Sequence, residues 1–174
     1  MNLVNDIPIG KEFPCIINAI VEVEKDTNAK YEYDEELNIF RLSRCLFSSM
    51  RYTCSYGFVP QTYALDDDPL DVLIYNNVPI RTSTLVECQP IACLDMDDTG
   101  KKDYKVLAVP TSHVKEYKSI KDLDPHWVST TYNFFTHYKD LEETKTVTLN
   151  GWLSRSDTKK IISAAHKRWL SLRM

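Results

Sequence analysis

Four aspartates crowd the run Asp66-Asp67-Asp68-Pro69-Leu70-Asp71. In an extended segment Asp66 and Asp68 point to the same side, because strand side chains alternate. Pro69 bends the chain, which lets Asp71 rejoin them at the start of the next strand. Carboxylates held this close repel one another, and some take up protons unless a cation neutralises them. Hard oxygen ligands favour Mg²⁺, Mn²⁺ or Ca²⁺. The same residues would also make an ordinary solvated acidic turn. A second acidic stretch, Asp95-Met96-Asp97-Asp98-Thr99-Gly100, precedes Asp103 and Lys105. It matches a calcium loop at the first, third and sixth positions, but Val106 stands at the twelfth where a glutamate is needed. A calcium sensor is therefore a poor reading.

Two pairs place a cation beside a carboxylate at a spacing of two: Lys30 with Glu32, and Asp103 with Lys105. On a strand, each pair shares one face. Such a face suits a metal-bound phosphate, or simply an exposed salt bridge. Arg44 lies in the rather apolar stretch Ser43-Arg44-Cys45-Leu46-Phe47, where a structural ion pair is the plainer alternative. Tyr138-Lys139 follows a helical stretch, where a cation is favoured by the helix dipole. The four histidines, His113, His126, His137 and His166, lack H-E-x-x-H spacing, and no G-x-S-x-G elbow occurs. None of the four glycines forms a nucleotide-binding loop.

The elements that must position these groups change character along the chain. Residues 16–24 alternate, with Val21 and Val23 on one side and Glu22 and Glu24 on the other. Residues 30–34, 39–42, 71–75, 85–93 and 104–109 are further strand candidates, separated by turn-rich pieces. The last third is expected to be helical. Asp124 caps a helix with Pro125 first, and Val128, Tyr132 and Phe135 recur at helical spacing. Ser156 or Asp157 starts a second helix that carries Ile161, Ile162, Ala165 and Trp169 on one stripe. Many short strands followed by two helices make a mainly β, α+β chain, a small barrel with helices packed against it.

The 174 residues suit a single domain spanning 1–174. The net charge of −4 opposes direct nucleic-acid binding. Five cysteines without C-x-x-C suggest free thiols. No leader and no membrane-length apolar run is found, so a cytoplasmic protein with no membrane partner is expected.

The ordered set of motifs resembles the family I soluble inorganic pyrophosphatases of bacterial type. The family signature D-x-D-P-x-D-aliphatic stands here as Asp66-Asp67-Asp68-Pro69-Leu70-Asp71-Val72. Around it lie Lys30-Tyr31-Glu32, Arg44, Tyr56-Gly57, Asp98 with Asp103 and Lys105, and His137-Tyr138-Lys139-Asp140-Leu141. The resemblance implies a five-stranded OB-type barrel with the two C-terminal helices outside, and hydrolysis of pyrophosphate to two phosphates. It implies several Mg²⁺ ions per site, replaceable by Mn²⁺ or Zn²⁺, and a homohexamer. It also implies roles. Asp66, Asp71 and Asp103 look like ligands of a tightly held metal. Asp98, Glu32 and Glu22 look like ligands of further metals, and Asp68 like the group that helps deprotonate water. Lys30, Arg44, Tyr56, Lys105, Tyr138 and Lys139 look like the substrate-holding set. The family's Tyr-Pro-x-Asn-Tyr-Gly is Tyr52-Thr53-Cys54-Ser55-Tyr56-Gly57 here, and the missing Pro and Asn are expected to loosen that loop.

This set comprises seven carboxylates and four cations, a sum of −3. Pyrophosphate adds roughly −3 to −4, so on the order of three or four divalent ions would be needed to balance the site. Two other readings stay open at this level. One is an OB-type module that binds single-stranded nucleic acid through its tyrosines. The other is a pyrophosphatase-like protein that binds metal but turns over slowly.

Overall fold

A computed structural model describes residues 1–173. Its centre is a closed ring of five strands. These are β1 (Ile17–Val23), β4 (Ser55–Phe58), β5 (Asp71–Ile74), β8 (Lys105–Pro110) and β6 (Leu85–Asp98). They pair in that order, and β6 returns to β1 through Ile17 opposite Cys88 and Ile20 opposite Leu85. Only β5 and β8 run parallel; the other pairs in the ring are antiparallel. Closing the ring removes the edges that an open sheet would leave unpaired. The hairpin β2 (Ala29–Asp34) and β3 (Ile39–Cys45) forms a separate two-stranded sheet. Beyond the ring, β6 also carries β7 (Lys101–Lys102) and β9 (Val147–Leu153).

The strands of the ring are buried on both faces, and their alternation feeds two apolar clusters. Leu73 of β5 and Leu107 and Val109 of β8 join Tyr52, Phe134, Phe135 and Tyr138. Val72 and Ile74, with Val106 and Ala108, instead join Ile162 and Ala165. The first cluster is closed by α1 (Pro125–His137) and the second by α2 (Arg155–Ser171). Period-two residues thus meet a different helix on each side. Gly57 marks the tightest approach within the ring. A Cβ there would sit 1.8 Å from the Ile20 carbonyl oxygen, so β1 and β4 pair this closely only with glycine at that position.

The expected strands are all present, with shifted ends, and three more accompany them: β4, β7 and β9. The strand β9 separates the two helices, so the last third is not purely helical. The first helix starts where expected, with the Asp124 side chain accepting from His126 N. The second starts earlier than Ser156. Ser154 is its cap, accepting from Asp157 N at 3.1 Å and donating to the Asp157 carboxylate. The stretch from Asp95 to Asp98 is strand, not a cation-binding loop. Asp95 and Asp97 turn to Lys102, at 2.6 and 3.1 Å. The segment around Asp67 is a turn and not extended; Asp67 has φ 74°.

Candidate active site

One mouth of the ring opens into a cavity of about 280 Å³. Eight carboxylates line it: Glu22, Glu32, Glu35, Asp66, Asp68, Asp71, Asp98 and Asp103. Three ammonium groups stand among them, from Lys30, Lys105 and Lys139. The rings of Tyr56 and Tyr138 complete the inner wall.

Strand register places the centre of this cavity. Asp71 opens β5 and Lys105 opens β8, and the parallel pairing sets them directly opposite each other. Lys105 Nζ donates to Asp71 Oδ2 at 2.5 Å, to Asp103 Oδ1 at 2.6 Å and, more distantly, to the Tyr56 hydroxyl at 3.4 Å. Asp103 is two residues before Lys105 and shares its face, while its backbone N–H donates to the Met96 carbonyl. Glu22 falls at an irregularity between Val21 and Val23 in the β1–β4 pairing. Such a bulge re-aims a side chain, and Glu22 accepts from Tyr33 N at 2.8 Å, tying β1 to the hairpin. Lys30 and Glu32 pair with each other on β2. Asp98 ends β6 and pairs with Lys139, just beyond α1. Asp66 and Asp68 come from the turn before β5, where Asp68 N donates to Asp66 Oδ1.

Burial raises four carboxyls of this cluster, whereas Lys30 and Lys139 outweigh it and hold Glu32 and Asp98 below the ordinary range. Burial pushes Glu22 up to about 8; the Tyr33 N–H works against the shift and the nearby Asp71 charge reinforces it. Asp103 is raised to about 6, again by burial first, with Lys105 opposing and Asp71 adding. Burial, and then carboxylate neighbours, also raise Asp66 and Asp68. Lys105 loses hydration by burial, but Asp103 and Asp71 outweigh that loss and hold its charge well above the ordinary lysine range. Lys139 goes the other way, because burial there exceeds the help from Asp98.

Twelve of the thirteen residues singled out from sequence line this one cavity. The exception is Arg44, whose side chain turns to Glu142 instead. Among the described residues no three carboxylate, imidazole or thiol side chains are disposed to hold an ion as they stand. Four of the cleft carboxylates, Glu32, Asp71, Asp98 and Asp103, are engaged by lysines. The cavity also includes residues that sequence reasoning passed over. Glu35 lines it from the hairpin turn and is held there by the side-chain amides of Asn2 and Asn5. No sequence signal marks a single acid in a turn. Tyr52 lines it too, although it opens the very loop whose departures stood out. That loop is braced rather than loosened. Thr53 Oγ1 meets Thr131 Oγ1 at 2.8 Å, and the Thr53 carbonyl accepts from Trp127 Nε1 at 3.2 Å. Cys54 is buried.

A small closed β-ring with two outer helices, whose mouth alternates carboxylates with lysines, defines a barrel protein built to meet a strongly charged small ligand. Comparison with known proteins narrows this class. The family model described as inorganic pyrophosphatase matches residues 19–170. The inorganic pyrophosphatase of Aeropyrum pernix is 38% identical over 164 residues, covering 92% of this chain and 93% of the relative. That of Xanthomonas campestris is 39% identical over 167 residues, covering 93% and 94%. The crystal structure of the Thermus thermophilus inorganic pyrophosphatase superposes with a TM-score of 0.93 at 31% identity, over 98% of this chain and 99% of that one. The chain belongs to the inorganic pyrophosphatase family, of the family I type, and is an enzyme of pyrophosphate hydrolysis.

Proposed function

We propose that this cleft hydrolyses pyrophosphate by direct attack of water, with Mg²⁺ held by Asp66, Asp71 and Asp103 and further ions by Asp98, Glu32 and Glu22. The donor set fits such ions: hard carboxylate oxygens, crowded and under-neutralised, on several walls of one cavity. Bound divalent ions would supply charge neutralisation for the diphosphate and make water more acidic.

The chain's own residues do the rest. Asp68, raised by burial and by Asp66, accepts the proton of the attacking water. A raised carboxyl is the better base near neutrality. Lys30, Arg44 and Lys139 spread the charge of the leaving phosphate. Lys105 and Tyr138 hold the phosphate under attack, and Tyr56 braces Lys105 through its hydroxyl. Positioning and charge stabilisation are most of what phosphoryl transfer asks of a protein.

The observation that carries this reading is the pairing of every cleft lysine with a cleft carboxylate. Each such lysine, once its carboxylate turns to a cation, has an ammonium free for a phosphate oxygen. Substrate and cation are therefore expected to assist each other's binding. The decisive experiment is phosphate release from pyrophosphate with and without Mg²⁺, with ATP as a comparison substrate. Turnover of pyrophosphate alone, and only with the cation, is expected; equal turnover in chelator would overturn the metal assignment. Mn²⁺ or Zn²⁺ is expected to substitute in part. A cytoplasmic homohexamer belongs to the same proposal, and light scattering on the eluting protein measures its mass. No described helix is long and apolar enough to cross a membrane.

A further inference from the structure

Arg44 differs from the other cations assigned to substrate. On β3 it lies opposite Lys30, whose side chain lines the cleft. Its own guanidinium faces Glu142, in the turn beyond α1, with Nε 3.0 Å from Oε1. The two side chains are only 24% and 8% exposed, so water does little to satisfy them. The contact is close, yet it is not aligned as a hydrogen bond. Arg44 Nε, Arg44 Nη2 and Glu142 Oε1 are all buried without a hydrogen-bond partner.

Three unsatisfied polar atoms at a single contact are costly, and native interiors leave few. A guanidinium has two donor edges, the side edge of Nε and Nη2 and the end edge of Nη1 and Nη2. Glu142 addresses the side edge. The end edge suits the oxygens of a phosphate, which it grips in a planar fork. Glu142 is also tied to the cleft from its own side, because its backbone N–H donates to the Lys139 carbonyl at 2.9 Å. It therefore links Arg44, and through the hairpin Lys30, to the turn that carries Lys139.

We infer that Glu142 is a positioning residue for pyrophosphate hydrolysis. It holds Arg44 by the side edge so that the end edge is left for a substrate phosphate, which gives the buried Nη2, shared by both edges, the partner it lacks. The inference rests on the role proposed above for Arg44 and adds a residue beyond it. Glu142 touches no reacting atom; it acts through Arg44, so its loss lowers substrate affinity more than the rate of the chemical step.

Steady-state kinetics at saturating Mg²⁺ test this with Glu142→Gln, Glu142→Asp, Arg44→Lys and the double variant Glu142→Gln/Arg44→Lys. Glu142→Gln is expected to raise KM for pyrophosphate about tenfold and to change kcat by less than about threefold. Glu142→Asp, which keeps the charge, is expected to raise KM less, by about threefold. The double variant is expected to be no worse than about twofold beyond Arg44→Lys alone, because the two residues act as one unit. A merely structural Glu142 would lower the melting temperature and leave KM at the wild-type value, and that result overturns the inference. So does strict additivity in the double variant. If Arg44→Lys itself keeps the wild-type KM, the failure lies in the role of Arg44. If Arg44→Lys raises KM and Glu142→Gln does not, the failure lies in the inference alone. Should Glu142→Gln not fold, Glu142→Asp decides the matter, and an unchanged KM there overturns it.

Discussion

Two acidic clusters share the strand β6, and they differ in nearly everything except composition. Asp95 and Asp97 point to one side, where Lys102 bridges them and Asn150 caps Asp97 at 2.6 Å. Asp98 belongs to the other cluster, in the cleft with Asp71, Asp103 and Lys105. The Lys102 side chain keeps 30% of its exposure, whereas Lys105 keeps 3%. On the outer side, hydrogen bonds from Asn150 and Lys102 hold Asp97 below its ordinary value, and Asp95 raises Lys102. Those charges are satisfied where they stand. In the cleft, burial holds Glu22 and Asp103 up toward the protonated form. Residue types alone do not make a site; removal from water makes the same carboxylates want a cation.

The largest test of this contrast is catalytic. Asp68→Asn is expected to keep the fold and cut turnover by roughly 10²–10⁴-fold, the usual worth of a general base. Asp97→Asn, in the outer cluster, is expected to leave turnover near wild type. Phosphate release measured on both would break the contrast if they behaved alike. Next comes stability. Lys105→Met leaves Asp71 and Asp103 buried beside an apolar group, and is expected to cost about 3–5 kcal/mol in chelator-treated protein, read by urea denaturation.

The third test uses pH. A carboxyl raised in the folded state binds its proton more tightly folded than unfolded, so its stabilisation is full below the unfolded value and lost as pH rises through the folded one. For Glu22 that window runs from 4.5 to about 8, and for Asp103 from 3.8 to about 6. Metal-free protein is therefore expected to lose stability between about pH 4 and 8. Glu22→Gln should flatten the upper half of that fall; an unchanged slope in its urea midpoints would sharpen the account against Glu22. The smallest effect is expected outside. Lys102→Ala breaks an accessible network and should cost less than about 1 kcal/mol, and a loss as large as that of Lys105→Met would erase the distinction.

How much of this the amino-acid sequence carries follows from the range of each signal. The long alternating strands were legible because side-chain alternation is local. The strand β4 was not, since Ser55–Phe58 has only four residues and includes a glycine. The strand β9 lies in the third of the chain expected to be helical, and it contains the turn-type pair Asn150-Gly151. That dipeptide marks an irregularity in the pairing instead: Asp95 faces Gly151 and Met96 faces Leu149, with Asn150 left over to reach Asp97. In the site, the pairs Lys30–Glu32 and Asp103–Lys105 were legible at a spacing of two. Their convergence with Asp66 and Asp98 was legible only through the family resemblance, because no local rule brings distant loops together. Glu142 lies one residue past the recognised His137–Leu141 block, and Glu35 in an unmarked turn. Both are set by tertiary contacts that sequence spacing does not encode.

The parallel pairing of β5 with β8 has a consequence for assembly of the chain. Asp71 faces Lys105 only when these two strands are aligned as they are. A slip of one residue would carry the ammonium toward an apolar wall with no counter-charge to receive it, a penalty far beyond the loss of a few contacts. The charges that serve the chemistry therefore also favour the one register in which Lys105 meets both of its counter-charges.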